Sequence, residues 1–263
     1  MNYIRYNDPQ TLNLPKYVIE SLTDRRELAH IRSLNSKTYI ILTIPKDETS
    51  TERLCVEADE SQITVYIKEN LDNLINQKPD TFPELVLNIL KTYEHLINDI
   101  SQRIDHFENI MDSGISKENI KNFFGMSRKL IFYQTGINAI GDISRYITEE
   151  KYTPLWNETY ASDFTNIRIE INQLDQNLEM YQQIIDSMMN VSDSLFSNKL
   201  NKTMKTLTSI TLILSIPTFI TSFYGMNINL PFQDHPHALL IVFIMSLSIT
   251  IITVIYLYRH DLL

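Results

Sequence analysis

Two stretches without a single charge, Thr206–Phe223 and Ala238–Tyr258, stand in the C-terminal part of an otherwise polar chain, and only 14 residues separate them. Their 18 and 21 residues make roughly 27 and 32 Å of helix at about 1.5 Å per residue, enough to cross a bilayer. Core helices of a soluble protein can be as apolar. Two such runs joined this closely instead predict a pair of membrane spans. The part before Thr206 is long enough to bury a core of its own.

After Lys205 the only formally charged side chains are Asp234, Arg259 and Asp261, so Met1–Lys205 carries 22 Lys and Arg against 30 Asp and Glu. A surface of that sign excludes nucleic acid as a partner. It draws cations weakly, and a modest negative charge is also ordinary for soluble proteins. Lys199, Lys202 and Lys205 precede the first span and Arg259 follows the second, whereas residues 224–237 hold no Lys or Arg. The positive-inside rule then places both termini in the cytoplasm and the loop outside. Met1–Tyr6 has neither the apolar core of a signal peptide nor an Arg- and Ser-rich amphipathic pattern, so the body is expected to stay where it is made. Cys55 is the sole cysteine and stands in the apolar run Leu54-Cys55-Val56, which predicts a packed thiol and no disulfide.

Three β-rich runs, Thr38–Ile44, Arg53–Ala58 and Gln62–Lys68, are separated by polar turns at residues 47–50 and 59–61 and predict a small sheet with mixed or antiparallel pairing. Helical segments at Pro15–Leu22 and Glu69–Gln77 are expected to pack on it. From Pro83 the pattern is helical: Leu85, Ile89, Tyr93, Leu96, Ile100, Ile104, Phe107 and Met111 recur at three- and four-residue steps until Asp112-Ser113-Gly114. A second helix is expected from about Ser116 to Ile147, ended by residues 149–154, and the two form an antiparallel hairpin.

In the third helix Ile167, Ile171, Leu174, Leu178, Tyr181, Ile185, Met188, Ser192 and Leu195 are spaced 4-3-4-3-4-3-4-3. That 3.5-residue repeat is a coiled-coil seam between chains or one face of a bundle within the chain. No Gly or Pro occurs from Asn157 to Ser215, so the helix is expected to run as a stalk into the first span. The expected organisation is an α+β body with a helical hairpin at 1–155, a stalk at 156–205, and at 206–258 two spans, 206–223 and 238–258, with an external loop 224–237.

Within the first span Thr208, Thr211, Ser215, Thr218 and Ser222 fall 3-4-3-4 apart along one side, while isoleucine, leucine and phenylalanine fill most of the rest. Such hydroxyls can bond the carbonyl four residues back or join helices. They can equally face water in a pore built by several copies, since one or two helices cannot enclose one. Continuing the face toward the N-terminus reaches Leu207, Met204 and Asn201. Pro217 lies between stripe positions, and Tyr224-Gly225-Met226-Asn227 follows the outer end.

These residues resemble the CorA family of divalent-cation channels, the two-transmembrane proteins with a Gly-Met-Asn signature. The resemblance covers the whole architecture and is most specific from Asn201 through Ile216-Pro217-Thr218 to Tyr224-Gly225-Met226-Asn227. It implies a homopentamer in the cell membrane whose first span lines the pore and whose second surrounds it. By position it implies an outer selectivity ring at Asn227 of the Gly225-Met226-Asn227 filter, polar lining at Asn201 and Thr218, and a hydrophobic constriction at Leu207. The hydroxyl stripe of Thr208, Thr211, Ser215 and Ser222 passes through or beside these positions and extends the expected lining, and Met204 adds a second apolar side chain at the constriction. The function so implied is passive uptake of hydrated Mg²⁺, with Co²⁺ or Ni²⁺ as further ions, gated by the body. Mg²⁺ holds its waters tightly, so a ring of neutral amide oxygens can bind the hydrated ion without stripping it.

The chain departs from the family in two places. Residues 228–237 carry one acidic side chain, Asp234, and a His235-Pro236-His237 string that suits a softer cation such as Zn²⁺ or is simply loop. Arg259-His260-Asp261 is not the family's polybasic segment. The family senses Mg²⁺ through carboxylates between subunits; the candidates here are Asp175, Glu179, Asp186 and Asp193, which are otherwise a solvated face. No phosphate-binding GxxxxGK[ST] run and no nucleophile–base motif occurs, so neither ATP-driven transport nor an enzyme is expected. No cofactor is expected beyond Mg²⁺ as cargo and regulator. A Zn²⁺ transporter of the same family and an oligomeric membrane scaffold are the rival readings.

Overall fold

The computed structural model of the chain describes residues 1–24, 26–46, 50–60, 62–71, 78–110, 117–152, 155–227, 229–232, 235–260 and 262. The expected turn at 47–49, the helix over 72–77, the stop at 112–114, the start at Ser116 and the Thr153-Pro154 break lie outside these residues. Two compact units are present, Met1–Asn190 and Val191–Leu263.

The first unit is built on five strands: β1 (Asn2–Tyr6), β2 (His30–Leu34), β3 (Lys37–Pro45), β4 (Thr51–Ala58) and β5 (Ile63–Lys68). Their order is β1-β5-β4-β3-β2, with β1 parallel to β5 and every other pair antiparallel. The expected three-stranded core is thus β3, β4 and β5, and two edge strands flank it. Helix α1 (Lys16–Thr23) has no side-chain hydrogen bond at its N-terminus, where Pro15 pre-sets the entry.

The sheet is covered on both faces, which is why β3 is buried from Thr38 onward and reads as a near-continuous apolar run, broken within the strand only by Thr43. Tyr39, Ile41 and Cys55 point to one side and pack with Val18 and Leu22 of α1. Ile40, Leu42, Ile44, Leu54 and Val56 point to the other and join the main core with α2 (Phe82–Ile110) and α3 (Lys117–Glu149). Each such buried aliphatic side chain contributes roughly 1.5–3 kcal/mol. Burial pushes the Cys55 thiol far up, as expected of a packed cysteine.

The hairpin of α2 and α3 is antiparallel, with Phe107 edge-on to Phe123 at 5.3 Å and Tyr93 edge-on to Tyr133 at 6.1 Å. A glycine permits the second contact: a Cβ at Gly136 would overlap the Tyr93 hydroxyl. Tyr93 is fully buried, its hydroxyl lies 3.4 Å from the carbonyl of Thr43, and burial pushes its pKa up to about 12. Of the helix expected at Glu69–Gln77, the described part, Glu69–Leu71, is a single 3-10 turn.

Helix α4 runs from Ala161 to Tyr224, 64 residues without a break. Up to Asn190 its seam closes within the chain: Ile167, Leu174, Leu178, Ile185 and Met188 are in the main core with α2 and α3. The bundle is therefore the arrangement that one chain satisfies. Its geometry is still coiled-coil-like, because Gln134 donates to Asp175 at 2.9 Å and Gln182 to Ser127 at 2.8 Å, a heptad apart on each helix.

In the second unit α4 is followed by α5 (Ala238–Arg259). Both helices are long and apolar enough to cross a membrane.

Candidate functional site

The first span shows two unlike flanks. Ser209 and Ile220 are buried, and Ile213, Ile216 and Pro217 are half-buried. At 100° per residue these positions form one side, and Thr208, Thr211, Ser215, Thr218 and Ser222, all exposed, form the nearly opposite side. The Ser209 hydroxyl on the covered side donates to the carbonyl of Leu262, just beyond the end of the second apolar helix. The hydroxyl stripe is thus not what joins the two spans of one chain.

Most stripe hydroxyls donate to their own backbone: Thr211 to Leu207 at 2.9 Å, Ser215 to Leu212 at 2.9 Å and Thr218 to Leu214 at 2.8 Å. Self-satisfaction and exposure to water, the two alternatives posed by the sequence, are both compatible with this geometry. A hydroxyl that donates inward keeps its oxygen lone pairs outward, so the stripe is a row of acceptors. The same spacing continues through Asn201 to Ser197 and Ser194, both exposed and uncharged. Sequence reasoning stopped at Asn201; carrying the 3-4 step two positions further would have found them. Met204 and Leu207 are 53% and 58% exposed, two apolar side chains beside a polar row.

At the far end the helix closes on Gly225, whose N–H donates to the carbonyls of Thr221 at 3.0 Å and Ser222 at 3.2 Å. The glycine is not needed for a left-handed backbone here. A Cβ would stand 3.3 Å from the carbonyl oxygen of Thr221, a tight contact that a side chain could make only with a small shift of the backbone. Met226 is 52% exposed and Asn227 is exposed, with no hydrogen-bond partner among the described residues. A free amide therefore follows the polar stripe directly.

Beyond the filter candidate, Ile228, Gln233 and Asp234 lie outside the described residues. His235 and His237 stand with rings 5.9 Å apart, and the His237 N–H donates to Nδ1 of His235 at 3.2 Å. That nitrogen is occupied by the turn itself, which weakens the pair as a Zn²⁺ clamp.

The second span is not uniformly apolar. Its half-buried side carries Val242, Ser246, Thr250 and Thr253, ending at buried Leu257, so small hydroxylated residues mark the covered face. Tyr256 and Tyr258 sit at one end of this helix and Phe223 and Tyr224 at the end of the preceding one, where aromatic side chains favour a membrane interface.

The four carboxylates considered as regulators do not come together in one chain. Asp175 accepts from Gln134 at 2.9 Å and Asp186 from Gln182 at 3.3 Å, while Glu179 and Asp193 are exposed. Among the described residues no group of three His, Cys, Asp or Glu is placed to hold a metal. Gln134, Ser127 and Gln182 were not singled out from sequence, since polar positions flanking an apolar seam carry no periodic mark of their own.

The fold and the two apolar helices define a membrane protein with an α/β body followed by a two-span unit. The chain belongs to the CorA-like Mg2+ transporter protein family, whose pattern it matches over residues 9–259. It is 27% identical over 179 residues to the cobalt/magnesium transport protein CorA of Methanocaldococcus jannaschii, covering 67% of this chain and 56% of that protein. The namesake from Thermotoga maritima is 26% identical over 143 residues, covering 54% and 40% of the two chains. The chain thus spans about half the length of the curated relatives it matches. The complete structure of the CorA magnesium transporter from Methanocaldococcus jannaschii superposes with a TM-score of 0.82 at 20% identity, covering 98% of this chain and 90% of that one, so the fold is CorA-like.

Proposed function

We propose that this chain is one subunit of a homopentameric channel in the cell membrane that passes hydrated Mg²⁺ down its electrochemical gradient, with Co²⁺ or Ni²⁺ as further cargo. Both termini are cytoplasmic in this reading, and the Gly225-Met226-Asn227 turn faces outside. The observation that carries it is the exposed acceptor stripe from Asn201 to Ser222, opposite the covered flank and followed by an exposed Asn227 with no hydrogen-bond partner among the described residues. Cobalt and magnesium are the ions named for both curated relatives.

A hydrated cation turns its water hydrogens outward and meets acceptors well, whereas a hydrated anion turns lone pairs outward and needs donors. Thr211, Ser215 and Thr218 have their own protons engaged, so the row favours the cation. A ring of Asn227 side-chain oxygens selects the hydrated ion before it enters, and neutral dipoles hold it without trapping it. Met204 and Leu207 form an apolar ring that dewets when the helices approach. Among the regulatory candidates Glu179 and Asp193 are better suited to share an ion with another copy, because Asp175 and Asp186 already accept an amide hydrogen.

Purified protein in liposomes is expected to admit Mg²⁺ under an inside-negative potential, and Asn227→Ala to lower that flux on the order of tenfold or more. Equal flux in the variant removes Asn227 from the filter. Absence of any divalent flux favours the scaffold, and Zn²⁺ flux that Mg²⁺ fails to compete favours zinc transport. The mass of the detergent-solubilised assembly checks the number of subunits.

A further inference from the structure

A groove of about 670 Å³ lies in the second unit, alongside the N-terminal part of the first span. Asn198, Lys202 and Lys205 line it first, and Leu212, Leu257 and Leu262 line it further along. Over these positions of α4, roughly 21 Å of helix, the ammonium groups give way to leucine, with Met204, Thr208 and Ser209 lining the stretch between. Both lysines are exposed, and among the described residues neither side chain has an ion-pair partner. Of the carboxylates that follow Asp193 in the sequence, Asp234 and Asp261, neither lies in the described residues.

Two ammonium groups with no ion-pair partner among the described residues at one end, and leucines at the other, match a molecule with an anionic head and an apolar tail. Lysine is suited to such a place, because its stem can lie along apolar surface while its head reaches the membrane interface. We infer that this groove is a binding site for an anionic phospholipid, with the phosphate against Lys202 and Lys205 and an acyl chain along Leu212 and Leu257. A free phosphate ion satisfies only the cationic end. The leucines point to the lipid, whose head and tail satisfy both ends at once.

One border of the groove carries Asn201 and Thr208, which belong to the acceptor stripe, so the lipid touches the helix assigned to conduction. The inference rests on the membrane-spanning part of the proposed function. It does not need the chain to transport anything, and its test reads lipid retention, so the two readings fail separately.

The full-length protein is reconstituted in vesicles of equal parts phosphatidylcholine and phosphatidylglycerol, extracted in mild detergent, and its retained lipid is counted by native mass spectrometry. Phosphatidylglycerol is expected to be retained in preference to phosphatidylcholine. The double variant Lys202→Gln with Lys205→Gln is expected to lower its retention about thirtyfold, each lysine near an anionic headgroup contributing about a factor of five. Lys202→Arg with Lys205→Arg should keep the lipid, as should Lys199→Gln, which removes the same kind of charge outside the groove. Equal retention of the two lipids by the unsubstituted protein overturns the proposal without recourse to any variant. An equal loss in Lys199→Gln overturns it too, by showing a diffuse charge effect. Displacement of the lipid by inorganic phosphate alone assigns the groove to a free anion instead.

Discussion

In the first unit Ile40, Leu54 and Tyr93 are at most 1% exposed, whereas in the second Phe219, Ile252 and Leu239 are 66–87% exposed. The same residue types thus meet opposite fates in one chain. The body completes its core from its own helices and sheet, with apolar side chains on both faces of β3. The two-span unit covers only one narrow side of each helix and leaves the rest for lipid, for further copies, or for water. Where apolar exposure is interrupted by a continuous polar row, as from Thr208 to Ser222, the surroundings of that row must differ from those of the apolar surface beside it.

The largest expected effect of breaking this contrast is in the body. Ile40→Ala should cost about 2–5 kcal/mol of stability, read from denaturant unfolding of the solubilised protein, because the side chain is fully enclosed. A loss below about 1 kcal/mol would mean that the core relaxes around the hole.

Next comes Gly136→Ala. Helix propensity favours alanine by about 1 kcal/mol, but overlap with the buried Tyr93 hydroxyl should cost about 1–3 kcal/mol and set the sign. In a Tyr93→Phe background the overlapping atom is gone and the substitution should become neutral or stabilising; thermal unfolding of the four combinations measures that change.

A smaller coupling, about 1 kcal/mol, is expected between Gln134 and Asp175 in a double-mutant cycle with alanine, since their hydrogen bond is partly buried. The smallest effect belongs to the membrane unit: Ile252→Ala, on a side chain 66% exposed, should change stability by less than about 0.5 kcal/mol. A cost near that of Ile40→Ala would show that Ile252 is packed by protein in the assembly.

Much of the fold was legible because burial leaves a period in the sequence. Strands β3, β4 and β5 follow from their β-rich runs, and α2, α3 and the seam of α4 from three- and four-residue steps. The edge strands escaped for the same physical reason in reverse. Strand β2 is mostly exposed and polar, so no alternation marks it. Its signal was the tight turn Asn35-Ser36, both with positive φ of 50° and 62°, which sends the chain back along β3. Strand β1 pairs in parallel with β5, some sixty residues away in sequence, and nothing local announces such a partner.

At the candidate site, the stripe, Pro217 and Gly225-Met226-Asn227 were legible as spacing and signature. The orientation of the stripe relative to the second span was not. It depends on which flank is covered, and that shows only in the burial of Ser209 and Ile220 and in the bond from Ser209 to Leu262. The polar rungs Gln134–Asp175 and Ser127–Gln182 were hidden because an amide at a helix flank looks alike whether it bonds across or faces water.

The most direct test of the account is to ask which side of the first span meets water. Single cysteines are placed at Thr211, Ser215 and Thr218 on the stripe and at Ile213 and Ile216 on the covered flank, and the reconstituted protein is treated with a water-soluble, membrane-impermeant thiol reagent. Native Cys55 is buried with its thiol pKa pushed far up, so the background is expected to stay silent. The account predicts rapid labelling at the three stripe positions and little at the two isoleucine positions. Equal labelling on both sides, or labelling confined to Ile213→Cys and Ile216→Cys, would contradict it.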